Sequence, residues 1–185
     1  MAEASAPVRV PVERIADDTI RLERTVDAPP EKVWRYLTQA ELRSQWFMGG
    51  TDARANGPFA LLNDHDNLSD DDVPYPESYA PYKGKIWNER VLKFDPPHVL
   101  ETTFMGGQNG TVTYELFPEG ERTRLVLTHS GITSPSGSQD FGGGWNSHLT
   151  VLQERLAGRS VRNFWELHAR SREAVRRGLD EQSRL

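Results

Sequence analysis

The run DFGGGWNSHLTVLQERLAG at residues 140–158 decides the fold. Its apolar members Phe141, Trp145, Leu149, Leu152 and Leu156 recur at offsets of four, four, three and four, so a helix places all five along one face. Gly158 supplies a stop, since glycine takes the left-handed conformation that ends many helices. A helix with so long an apolar stripe needs a surface to cover, and the residues before it describe one. From Tyr82 onward the segments YKGKIWNERVLKFD, HVLETTFM, GTVTYELF and ERTRLVLTHS are rich in β-formers. They are separated by Asp95-Pro96-Pro97, by the GGQNG turn and by Glu119-Gly120, which predicts an antiparallel meander of four strands.

Upstream, TIRLERTVD at 19–27 alternates Ile20, Leu22, Arg24 and Val26 against Thr19, Arg21, Glu23 and Thr25, the period of a half-buried first strand. In the stretch 28–47, Pro30 and Glu31 suit a helix start, and Val33, Trp34, Leu37, Leu42 and Trp46 recur at helical spacing. Two short helices are expected, over 30–38 and 40–47. Glycines and Pro58 then punctuate short runs at 51–54 and 59–63, read as strands two and three. Residues 64–81 are acidic, proline-rich and aperiodic, a surface loop whose tyrosines are expected to cover something. Residues 1–18 read as an extended or poorly ordered leader, with the domain proper at 19–158. In the tail, 159–185, Val161, Phe164, Trp165, His168, Val175 and Leu179 fall near one face, with Arg162, Arg170, Arg172, Arg176 and Arg177 elsewhere. Such a helix is expected to pack back on the domain, a homodimer contact being the alternative. With no crossover helices between the strands, parallel βαβ units are excluded. The expected class is α+β with a helix grip: a curved antiparallel sheet wrapped around a long C-terminal helix, two short helices following strand one.

Composition narrows the function. A net charge of -5 over 185 residues opposes a nucleic-acid binder, which needs concentrated basic surface. The absence of cysteine removes disulfides, thiolate nucleophiles and Cys-ligated metals, and a reducing cytoplasm is the expected compartment. No stretch has the length of a membrane span or of a signal-peptide core, so membrane insertion is not expected. The scattered histidines His65, His98, His129, His148 and His168 lack zinc spacing, and the aspartates from Asp64 lack the glycine and glutamate of a calcium loop. Gly142-Gly143-Gly144 follows no phosphate-loop pattern and is read as close approach of the helix start to the sheet. No metal and no cofactor is expected. Adjacent Ser147 and His148 point about 100° apart on a helix and form no catalytic pair.

Two anchors carry a family resemblance. VDAPPEKVW at 26–34, with Leu37-Thr38, Glu41-Leu42 and Trp46, is similar to the strand-to-helix entry of the SRPBCC (START-like, Bet v-like) superfamily, in its branch of activators of the heat-shock protein 90 ATPase. GWNSHL at 144–149 through Leu156-Ala157-Gly158 resembles the C-terminal helix of that branch, and Asp95-Pro96-Pro97 falls at one of its hairpins. The resemblance implies an apolar cavity between sheet and helix, although fold does not fix activity. The residues expected to line it are Trp34, Trp46, Phe47, Phe59, Trp87, Leu100, Phe104, Tyr114, Phe141, Trp145 and Leu149. The leading expectation is a binder of a small hydrophobic molecule without an assembled catalytic set. The alternatives are a co-chaperone module that contacts heat-shock protein 90, and a cyclase or dehydratase in which Tyr114 or His129, by alternation the proton-carrying inward residues, acts in the cavity.

Overall fold

The computed structural model describes residues 11–134 and 136–184. In chain order the elements are β1 (Val12–Ala16), β2 (Thr19–Val26), α1 (Pro30–Thr38), α2 (Ala40–Arg43), β3 (Pro58–Leu62), a 3₁₀ turn (Ala80–Tyr82), β4 (Ile86–Asp95), β5 (Val99–Thr103), β6 (Thr111–Glu119), β7 (Arg122–Ser130), α3 (Gly137–Leu156) and α4 (Phe164–Gln182). The strands make one seven-stranded sheet in the order β1-β2-β7-β6-β5-β4-β3, every pair antiparallel. The helices α1 and α2 carry the chain from β2 to the opposite edge of that sheet. This is the α+β helix-grip class, with α3 lying across the concave face.

Alternation sets which side chains face α3. Leu22 pairs with Leu127, Tyr114 with Leu127 and with Leu100, and Val112 with His129, and all of these residues are buried. Arg24, out of character in an apolar row, does point inward, where its guanidinium donates to Asn146 Oδ1 of α3 and to the Glu23 carbonyl. A buried cation is tolerated only with such partners.

The sequence expectations need correction at several points. The leader reading fails over Val12–Ala16, which form β1 against β2, while residues 1–10 lie outside the described residues. Val12 is the buried residue of that strand, and one inward side chain is too weak a period to read. The strand expected at 51–54 is absent. There a single residue, Thr51, brackets Ala60 with its N–H and hydroxyl, so the segment borders β3 without continuing the ladder. The second short helix stops at Arg43 rather than running to 47, and the chain continues in turns around the Arg43 side chain, which gathers nearby carbonyls.

The tail helix α4 packs back on α3 and on β1. Sandwiched between sheet and α4, α3 is buried on nearly every side from Trp145 to Glu154. Its polar residues are therefore matched one by one. Asn146 Nδ2 donates to Ser171, Thr150 Oγ1 to the Asn146 carbonyl, and Gln153 Nε2 to Thr25 O. The glycines divide along the same line. A Cβ on Gly142 would meet Val175 at 3.0 Å and Val12 at 3.2 Å, and one on Gly143 would meet Arg172 Cγ at 2.6 Å and Cα at 2.8 Å. They admit α4 more than the sheet, and Gly144 faces open space. At the β1 edge, the Gln182 side chain accepts from Arg14 N–H and donates to Val12 O, occupying backbone groups that an edge strand would otherwise expose.

Candidate functional site

The space beneath the centre of α3 is occupied by buried core side chains. Trp46, Leu149, Leu152, Leu116 and Tyr114 fill it, and the Trp46 indole donates to Tyr36 O at 2.8 Å. The void lies toward the N-terminal half of α3, where a cavity of about 450 Å³ opens between Phe104 and Met105 at the end of β5, the segment from Asn63 to Tyr82, and the first turns of α4. That volume is in the range of small-molecule sites.

Of the residues expected to line a cavity, Phe47, Phe104, Phe141 and Trp145 do so. Phe104 packs on Trp145 at 5.4 Å and edge-on to Phe141 at 5.5 Å. The others are placed elsewhere. Trp34 packs edge-on to Phe94, Phe59 lies under the Arg43 guanidinium, and Trp87 carries Lys85 Nζ 4.0 Å above its ring. Trp46, Leu100, Tyr114 and Leu149 are filled core.

The opposite wall comes from parts of the chain to which the sequence reading gave no binding role. The acidic insert folds over the opening and anchors itself by sinking Leu68 into the core and by pairing Asp70 and Asp71 N–H with the carbonyls of Val161 and Arg162. It thereby brings Tyr75 and Tyr79 against Trp165 of α4, at 4.9 and 5.0 Å, and stacks His65 on the same indole at 5.4 Å. The tyrosines do cover something. Part of the signal for α4 was present, since Trp165 and His168 share a face, but Arg172, read as lying elsewhere, joins them at the cavity, and nothing local says that this face meets one.

The polar groups form ordered chains whose proton positions follow from groups that can only accept. Ser147 Oγ donates to Gly144 O at 2.8 Å, so it accepts from His168 Nδ1 at 3.0 Å. His168 Nε2 therefore accepts from the Tyr79 hydroxyl at 2.9 Å, and Tyr79 accepts from Arg172, whose other arm holds Asp140 at 2.6 Å. Burial depresses the His168 pKa to about 3, helped by His148 and by the Arg172 charge, and burial raises that of Tyr79. His148 donates from Nδ1 to Trp46 O at 2.8 Å, and burial lowers its pKa to about 4. His65 is likewise held well below its ordinary value by burial and by the neighbouring imidazoles.

Tyr114 and His129 do not form a proton-transfer pair in this cavity. Neither lines it. His129 Nε2 donates to Asn109 O at 2.7 Å, and its Nδ1 accepts from the Trp145 indole at 3.1 Å, so both nitrogens are engaged. Burial lowers the His129 pKa to about 4 and pushes that of Tyr114 up. Ser147 spends its proton on a backbone carbonyl, which leaves it unsuited to nucleophilic attack. Among the described residues no group of three or more His, Asp or Glu could hold a metal ion, and no helix is long and apolar enough to cross a membrane.

Comparison with known proteins places this architecture. A solution structure of the protein encoded by gene BPP1335 from Bordetella parapertussis is 32% identical, with 94% of each chain covered and a TM-score of 0.73. CalU16 from Micromonospora echinospora is 21% identical over 88% of each chain, with a TM-score of 0.62. DynU16, from the dynemicin biosynthetic locus, is 22% identical over 80% of this chain and 51% of its own, with a TM-score of 0.58. The last two likenesses speak to fold alone. No curated protein matches the chain. Residues 27–157 match the family described as Activator of Hsp90 ATPase homolog 1-like protein, and the match runs from the strand-to-helix entry to the end of α3. With that share of its length matched, the chain belongs to the Activator of Hsp90 ATPase homolog 1-like protein family.

Proposed function

We propose that the protein binds a small, largely apolar molecule in the cavity bounded by α3, the end of β5, the 63–82 insert and α4. The observation that carries this reading is the cavity itself, about 450 Å³ with Phe47, Phe104, Phe141 and Trp145 on one side and Tyr75 and Trp165 on the other. Cores ordinarily pack to the density of organic crystals, so an aromatic-walled space of this size is a departure that a ligand would fill. A ligand removing about 300 Å² of apolar surface from water would gain about 7 kcal/mol gross, and the costs of association would bring binding to the micromolar range.

The hydrogen-bonded groups in the walls support binding over catalysis. Tyr79, His168 and Ser147 satisfy one another, and the imidazoles are neutral at physiological pH. The test is titration with the neutral fluorophore N-phenyl-1-naphthylamine and with a panel of lipids, aromatics and polyketides. Saturable one-to-one binding is expected in the wild type. It is lost in Gly144→Leu, whose new side chain enters the cavity from a position with open space around its Cβ, while circular dichroism stays unchanged. Absence of saturable binding across the whole panel would sink the proposal.

A further inference from the structure

The inner end of the cavity carries an imidazole with an unused acceptor. His148 must hold its proton on Nδ1, because that atom faces the Trp46 carbonyl at 2.8 Å and a carbonyl cannot donate. Nε2 is then a bare lone pair. Among the described residues it accepts from no donor, and it is not among the buried polar atoms sealed without a partner, so it retains access to the cavity that His148 lines. Phe47 edge-on at 5.0 Å, Phe164 at 5.0 Å and His65 at 5.1 Å surround the ring. His65 adds a second unsatisfied imidazole, its Nδ1 buried without a partner.

From this we infer that the occupant is a neutral hydroxylated aromatic, its ring held between the aromatic walls and its hydroxyl donating to His148 Nε2. The inference rests on the binding function proposed above and narrows it to a ligand class. Each alternative charge state fails on a group already placed. A phenolate or carboxylate would bring its lone pairs against the lone pair of Nε2. An ammonium would sit desolvated among rings, since Asp140, the carboxylate in the lining, is already engaged by Arg172 and by Ser136. A neutral donor satisfies the acceptor, and flat rings suit walls built from Phe104, Trp145 and Trp165, which favour edge-to-face and offset contacts. The depressed pKa of His148, about 4, agrees with an imidazole that stays uncharged in use.

The experiment compares 2-naphthol with 2-methoxynaphthalene by isothermal titration calorimetry at neutral pH. The pair shares ring and oxygen and differs in the donor hydrogen. Wild-type protein is expected to bind the naphthol about tenfold more tightly, as befits one hydrogen bond and an acceptor otherwise left unpaired. Two variants separate the acceptor from the fold. His148→Phe keeps a ring in place, and His148→Asn keeps a donor within reach of Trp46 O while deleting the Nε2 position. In both, the preference should fall to about twofold or less, with the ether still bound. Equal affinities in the wild type, or a preference that survives in whichever variant folds, would overturn the assignment and leave the cavity as a binder of another class. Failure of both compounds and of the wider panel would overturn the binding function itself, and this inference with it.

Discussion

Adjacent glycines in α3 should respond to alanine with opposite signs. Alanine is the better helix former by about 1 kcal/mol at an interior position. At Gly144 nothing lies within 4 Å of the added Cβ, so the full gain should appear as about 1 kcal/mol of stability, or about 2–4 °C in Tm for a chain of this size. At Gly143 the same methyl would stand 2.6 Å from Arg172 Cγ and 2.8 Å from Arg172 Cα. The first atom can move, but the second belongs to the backbone of α4, so the two helices must part. Overpacking of that kind costs about 1–3 kcal/mol, and against a backbone atom the upper end applies. Less the propensity gain, Gly143→Ala should lose about 2 kcal/mol, lowering Tm by about 4–8 °C. Urea denaturation followed by tryptophan fluorescence, with calorimetric Tm alongside, measures both variants. If Gly143→Ala were as stable as Gly144→Ala, α4 would not be seated against α3 at this point. The outer wall of the cavity would then lose its support.

Two further outcomes are expected. Arg43 is 3% exposed and donates to the carbonyls of Leu37, Thr38, Met48, Gly49 and Thr51, with burial lowering its pKa to about 10. Arg43→Lys keeps the charge but offers three donors at a different reach, so it should cost about 3 kcal/mol and speed amide exchange in residues 44–51; a loss under about 1 kcal/mol would contradict this role. Acid should destabilise the protein at mild pH. The folded pKa values of His129, His148 and His168 lie at about 4, 4 and 3, below the ordinary 6.5, so between pH 6.5 and 4 the unfolded chain binds more protons. Stability then falls as pH falls through that window, by up to about 5 kcal/mol from pH 7 to pH 5. A flat urea midpoint over that interval would show that these imidazoles are not buried and neutral.

The fold was legible because its determinants are periodic. Of the α3 stripe, Trp145, Leu149, Leu152 and Leu156 are buried and Phe141 partly so, and the alternating residues Val112, Tyr114 and Leu116 of β6 and Leu125, Leu127 and His129 of β7 are buried. So regular a period survives a single misfit such as Arg24. The site was half legible. Phe47, Phe104, Phe141 and Trp145 sit on elements whose inward faces can be counted off from the period. Their counterparts Tyr75, Tyr79, Trp165 and His168 belong to an aperiodic insert and a tail helix, and their meeting depends on Leu68 and on two backbone hydrogen bonds to Val161 and Arg162. Contacts between segments so far apart in the chain leave no mark in local pattern. The same reason explains the residues wrongly placed. Trp46, Tyr114 and Leu149 do face inward, but whether inward space is filled depends on what arrives from the other side.

One consequence concerns time. The outer wall of the cavity is α4, which is also the last element of the fold and ties itself through Gln182 to the first strand. Until α4 has docked, the sheet and α3 lack Trp165, His168 and Arg172 and so offer an open aromatic surface in place of an enclosed chamber. The binding compartment is therefore completed by the docking of α4, and a chain in which that step lags has an aromatic face to shield from other chains.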